Sequence, residues 1–160
     1  MTFSAGYSLQ RGTALEDLDM GGSTLSLKVT GDQSRGLVTV LEGVLHSGGP
    51  PLHVHEGEDE IVIVLEGKLD YQVGDERGVL DSGGLLWFPR RVPHAIANLT
   101  GAPCRFVTMA TPSGIEDFFR AQRDYLATLP AGTAPDPADM AAVSGAEQRR
   151  VVGPPLTRDA

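Results

Sequence analysis

An all-β domain is the architecture to which this chain points, and three observations carry it. Twenty glycines and eleven prolines in 160 residues favour many short elements joined by turns. From about position 20 to about position 112, turn signals recur roughly every eight to twelve residues, the spacing of antiparallel sandwiches and barrels. The runs between them either alternate apolar with polar residues or are apolar throughout. One helical pattern follows. The expectation is a β-barrel or sandwich over residues 1–112, with one or two helices and a tail, 113–160, packed on the same domain.

STLSLKVT (23–30) alternates, so it predicts a strand with one wet face, and GDQS (31–34) a turn. GLVTVLEGVLH (36–46) predicts a long strand, with Gly43 as the site of a bulge. SGGPP ends it. LHVH is then a short strand and EGED a loop. EIVIVLEG is apolar at every position from Ile61 to Leu65, the pattern of a strand buried on both faces. KLDYQV is a strand, GDERG a turn, and LLWFP a strand stopped by Pro89; HAIANL and CRFVTMAT close the β region. In PSGIEDFFRAQRDYLATLP the period changes. Ser113 and Glu116 stand at capping-box spacing, and Ile115, Phe118, Phe119, Leu126 and Leu129 share one face. This predicts a helix over 114–129, lying on the outside of the β domain. AGTAPD reads as a linker, Asp136 as the cap of a short helix starting at Pro137, and VVGPPLTRDA as an extended segment frayed at its end.

The formal net charge of -8 argues against nucleic acid and anionic membrane surfaces as partners. Cys104 is the single cysteine, which fits a reducing compartment, and the N-terminus shows neither a basic start nor an apolar run. A cytoplasmic location is expected.

The chemistry concentrates in PLHVHEGEDEIVIVLEG, residues 51–67. Residues two apart in a strand point the same way, so His53 and His55 aim two imidazoles at one place. Glu60 opens the next strand and can lie opposite them; His94 opens the strand HAIANL. Three neutral imidazoles and one carboxylate suit one divalent first-row ion: iron, nickel, cobalt, manganese or zinc. Strand parity with Glu60 places Val62 and Val64 on the cavity side, and parity with His94 places Ile96 and Asn98 there. Tyr71, Trp87, Phe88 and Phe106 are aromatic candidates for its wall, although core packing is the commoner role of such residues. The result is an apolar cavity with a polar centre, suited to a planar or aromatic small molecule.

These spacings carry a resemblance. GGPPLHVHEGEDEIVIVLEG and GGLLWFPRRVPHAIAN resemble the two sequence motifs of the cupin superfamily, in its small single-domain form. SGIEDFFRAQ and VGPPL are similar, more weakly, to tails of bacterial quercetin 2,3-dioxygenase-like cupins. The resemblance implies a cupin jelly-roll β-barrel, a double-stranded β-helix, with a metal inside one mouth. It assigns the ligand roles to His53, His55, Glu60 and His94; the step from Glu60 to Gly67 picks Glu60 over Asp59 and leaves Glu56, Glu58 and Asp59 as a solvated loop at the mouth. There are two departures. Gly48 stands one residue closer to the histidine pair than usual, and Arg91 occupies the glycine position of the second motif. Arginine would strain a turn that needs positive φ, and at that place it is also a candidate for binding a substrate carboxylate or enolate.

By resemblance, the leading expectation is a dioxygenase acting on a flavonol or similar enol-bearing aromatic, with Glu60 as ligand and general base. A second reading is a metal-dependent cyclase or isomerase of polyketide-type substrates. A third is a non-catalytic small-molecule-binding module, which usually stands beside a helix-turn-helix segment; none is visible in this sequence. A homodimer is expected, with residues 1–30 as a segment that exchanges between subunits.

Overall fold

Alternation in the strand sequences builds two facing sheets in the computed structural model, which describes residues 6–158. The first strands are β1 (Glu16–Asp19), β2 (Ser23–Val29), β3 (Thr39–Leu45), β4 (Pro51–His55) and β5 (Asp59–Glu66). Then come β6 (Lys68–Val73), β7 (Glu76–Asp81), β8 (Leu85–Phe88), β9 (His94–Ala97) and β10 (Cys104–Thr111). Helices α1 (Gly31–Ser34), α2 (Ile115–Leu126) and α3 (Pro137–Met140) are joined by a last strand, β11 (Arg149–Pro155). One sheet has the order β1-β2-β3-β10-β5-β8 and the other β11-β4-β9-β6-β7. This is a mostly β protein of two antiparallel sheets with C-terminal helices, the jelly-roll arrangement. Among the described residues no helix is long and apolar enough to cross a membrane.

Side chains alternate in and out along β3, β5 and β10. Inward residues Leu45, Val62, Val64, Phe88 and Phe106 of one sheet meet Leu69 and Ile96 of the other. Each such burial contributes about 1.5–3 kcal/mol. Leu18, Leu25, Leu27 and Leu41 form a second cluster, against which Phe119 of α2 packs.

Several expectations change. Ile61 and Ile63 are half-buried and Leu65 is exposed, so β5 is covered on its inner face only. The outward side chains of β8, Leu85 and Trp87, are exposed as well. Gly43 is no bulge: it pairs in register with Leu25 and Phe106, and a Cβ there would meet the Phe106 ring at 2.3 Å. GDQS forms a single helical turn, α1. β7 arises where the sequence suggested only a turn; it is an edge strand whose Leu80 packs against the core while Arg77, Val79 and Asp81 are exposed. The tail is extended as expected, and at residues 149–155 it forms β11, which pairs with β4; its last two residues lie outside the described ones. Residues 16–29 pair within their own chain, as β1 with β2 and β2 with β3. The first five residues of the segment expected to exchange lie outside the described ones.

At α2 the N-cap is Gly114, not Ser113. Glu116 accepts from the backbone N–H of Gly31 (2.6 Å) and of Gly114 (2.9 Å), and from the Thr39 hydroxyl. This carboxylate ties the helix start to α1 and β3. The helix does not lie on the barrel's outside; it closes one end of the interior, with Ile115, Phe118, Phe119 and Gln122 on the cavity wall.

Candidate metal centre

The i, i+2 spacing brings the His53 and His55 rings to 4.9 Å between centroids. β9 pairs with β4 at His53↔His94, so the third ring arrives 4.5 Å from His53 and 4.7 Å from His55. One ligand atom from each histidine lies within 4.8 Å of the others. β5 adds Glu60, whose Oε2 is 3.5 Å from His94 Nε2 and 3.6 Å from His55 Nδ1.

Two imidazoles are set in one tautomer by the backbone. His53 Nδ1 lies 2.7 Å from Pro51 O and His94 Nδ1 lies 2.9 Å from Val92 O. A carbonyl only accepts, so the proton sits on Nδ1 and the Nε2 lone pair is free. Phe88 stacks on His94 at 4.4 Å and 9°, which holds that ring. Burial also keeps the His53 and His55 rings neutral, the form that ligates: it lowers the pKa of His53 and brings that of His55 down to about 3. His94 Nε2 is buried without a hydrogen-bond partner. A buried, unpaired lone pair facing two imidazoles and a carboxylate is what a cation-binding site needs, so this donor set fits a divalent transition ion.

The cluster lies on the wall of a cavity of about 550 Å³. Of the residues expected on that wall, Phe88, Ile96 and Phe106 line it together with the three histidines and Glu60. Val62 and Val64 point inward as parity requires but sit in the core packing, 0% and 1% exposed, and do not line the cavity. Tyr71 shares the inward parity of Leu69 and packs against the core cluster, but it does not line the cavity, and its hydroxyl donates to Glu76. Asn98 is structural: its amide donates to Leu45 O, His46 O and Ala102 O, pinning two loops. Arg91 has φ 66°, so the glycine-like conformation persists with an arginine in it. Its side chain is 76% exposed, 3.8 Å from Glu56, and away from the cavity.

Other wall residues escaped the sequence reading. Thr108 shares the parity of Phe106 on β10 and was legible from it. Met20, Phe118, Phe119, Gln122 and Met140 come from segments before and after the motifs and carry no local signal. Arg149 is the largest omission. Reaching in from β11, it pairs with Glu58 in the interior. Glu58 is therefore not a solvated loop residue; it is 5% exposed. Its neighbours do stay near the surface, Glu56 paired with Arg150 and Asp59 with Arg90. Hydrogen bonds from Arg90 hold the Asp59 carboxyl down at about 2.

Comparison with known proteins agrees with this architecture. Residues 36–110 match the family model described as Cupin domain. Over 60 residues the chain is 42% identical to a quercetin 2,3-dioxygenase of Bacillus subtilis (strain 168), covering 35% of this chain and 18% of that protein. The chain thus spans less than a fifth of the length of that relative. Among solved structures, KdgF from Halomonas sp. superposes with a TM-score of 0.60 at 15% identity, over 71% of this chain and 98% of that one. An RmlC-like cupin from Shewanella frigidimarina superposes with a TM-score of 0.56 at 19% identity, over 72% and 98%. At those identities the likeness is one of fold.

Proposed function

The chain carries a cupin domain, and on that premise we propose that it is a metal-dependent dioxygenase of a planar, enol-bearing aromatic molecule of the flavonol class. The observation that carries the proposal is the set of three converging imidazoles, with Glu60 beside them, on the wall of an otherwise largely apolar cavity. The segment related to a quercetin 2,3-dioxygenase supports the choice of reaction.

In this reading His53, His55, His94 and Glu60 hold one divalent first-row ion. When bound, such an ion supplies Lewis-acid polarisation of a coordinating hydroxyl and, if redox-active, a route to dioxygen. The protein's own groups do the rest. Glu60, the carboxylate beside the imidazoles, accepts the proton of the enol hydroxyl. Phe106, Ile96 and Leu45 on the barrel wall, with Phe118 and Phe119 from α2, offer flat apolar surfaces to a ring system. Helix α2 over the end of the cavity limits water, which preserves a reactive enolate.

Metal content of the untagged protein, measured by mass spectrometry beside His53→Ala and His94→Ala, is the first test. The expected result is about one iron, nickel, cobalt or manganese per chain, lost in both variants, with oxygen uptake on flavonols that Glu60→Gln abolishes. No metal after reconstitution refutes the proposal. Zinc without oxygen uptake redirects it to a cyclase or isomerase, and tight binding without turnover in air to a binding module.

A further inference from the structure

His55 differs from its two neighbours. Pro51 O and Val92 O occupy the Nδ1 atoms of His53 and His94, but no carbonyl does so for His55. Its Nδ1 instead faces Glu58 Oε1 at 3.4 Å, and both atoms are buried without a hydrogen bond. Glu60 Oε2 is 3.6 Å from the same nitrogen but also 3.5 Å from the free His94 Nε2, so it is directed to the centre of the cluster.

Glu58 is held in place from the other end of the chain. Arg149 Nη2 donates to Glu58 Oε2 at 2.9 Å, and Arg149 Nε lies 2.7 Å from Oε1, close but off the N–H axis. Its Nη1 donates to Gly145 O at 3.0 Å, and the guanidinium lies over the Phe118 ring at 5.1 Å. Backbone pairing makes the placement exact in register: Arg149 stands opposite His55 and Val151 opposite His53. A charged pair at 6% and 7% side-chain exposure is costly to bury unless its geometry is used.

We propose that Glu58 and Arg149 are positioning residues for the metal centre, which makes the C-terminal strand β11 part of that centre. Glu58 accepts the Nδ1 proton of His55 and frees Nε2 for the ion, as the two carbonyls do for the other rings. Arg149 fixes the carboxylate in the orientation this requires. A carboxylate behind a ligating imidazole sets its tautomer and raises its basicity. The inference rests on the reading that His53, His55 and His94 hold a metal.

The test is titration of the apo full-length chain with Co(II) against a chromophoric chelator, with the ligand-field spectrum recorded. Glu58→Ala and Arg149→Met are expected to bind about 10- to 100-fold more weakly than wild type, with altered spectra. Glu58→Gln, which can still accept from Nδ1, and Arg149→Lys should recover part of the affinity. Arg150→Ala, on the same strand but exposed and paired with Glu56, should behave as wild type. Thermal melting of each apo variant confirms that it is folded, and the conservative pair carries the test if the others are not. Wild-type affinity and spectra in the Glu58 and Arg149 variants overturn this inference alone. Complete loss of binding in Glu58→Gln also overturns it, because Glu58 would then be a ligand. Failure of the wild-type chain to bind Co(II) overturns both this inference and the reading beneath it.

Discussion

Replacing Gly43 by alanine probes how the barrel wall is packed against the cavity. The new Cβ would lie 2.3 Å from Phe106 Cζ and 2.8 and 2.9 Å from Cε1 and Cε2. Carbon atoms in contact prefer about 3.5–4.0 Å, so the ring must retreat by more than about 1 Å. Phe106 is paired across the ladder with Gly43 and is 4% exposed, so its retreat disturbs a filled core. Overpacking of this kind costs about 1–3 kcal/mol. The backbone at Gly43 has no positive φ, so alanine there returns about 0.4–1 kcal/mol through the unfolded chain. The expected net loss is about 1–2 kcal/mol. For a chain of this size that lowers the melting temperature by about 2–8 °C, and urea unfolding should show a lower midpoint with an unchanged slope. Phe106→Leu removes the colliding ring, so Gly43→Ala should cost little in that background; the double-mutant cycle should give a coupling above about 0.5 kcal/mol. Gly43→Ala as stable as wild type, or equally costly with and without the Phe106 ring, would refute the reasoning.

Other outcomes follow from the same structure. Glu116→Ala leaves two backbone N–H groups and the Thr39 hydroxyl without their acceptor, so urea unfolding should register a loss of about 2–4 kcal/mol, with Glu116→Gln milder. Arg91→Gly relieves a left-handed residue whose exposed side chain has only a 3.8 Å charge contact with Glu56, so it should stabilise by about 0.5–1 kcal/mol and leave metal affinity unchanged. Apo-protein stability should fall as pH drops from 6.5 towards about 3: unfolded His55 takes up a proton that the buried, folded ring refuses, so the unfolded state binds more protons there. His53 acts in the same direction, and thermal scans across that pH range should show the decline unless both rings are removed.

Much of the fold and the centre of the candidate site could be read locally, for reasons visible in particular residues. The HxH spacing, the branched run after Glu60 and the turn glycines are short-range patterns, and short-range geometry decides them. Tyr71, Asn98 and Arg91 show the limit. Tyr71 is on the inward face of its strand, but how far the cavity reaches along the barrel depends on the packing of both sheets, and it stops short of Tyr71. Asn98 looked like a cavity residue by parity with His94, yet its amide is consumed by three carbonyls, from the end of β3, the loop after it and the loop before β10. At Arg91 the motif departure foretold the strained backbone, while the side chain's outward direction followed from the turn's place at the rim.

The sequence by itself determined the antiparallel β architecture and the presence of a three-histidine cluster. The first depends on the period-two geometry of strands; in the second, His53 and His55 are a local pair, while His94 was added by its place in the second motif and reaches them through the pairing of β9 with β4. Tertiary structure alone decided which walls surround that cluster. Only folding brings α2 over the barrel end and returns β11 to the histidine strand, and only then do Glu58 and Arg149, 91 residues apart, share one buried pair. Contacts that distant are chosen by the packing of whole elements, where chain connectivity imposes no spacing for a motif to record.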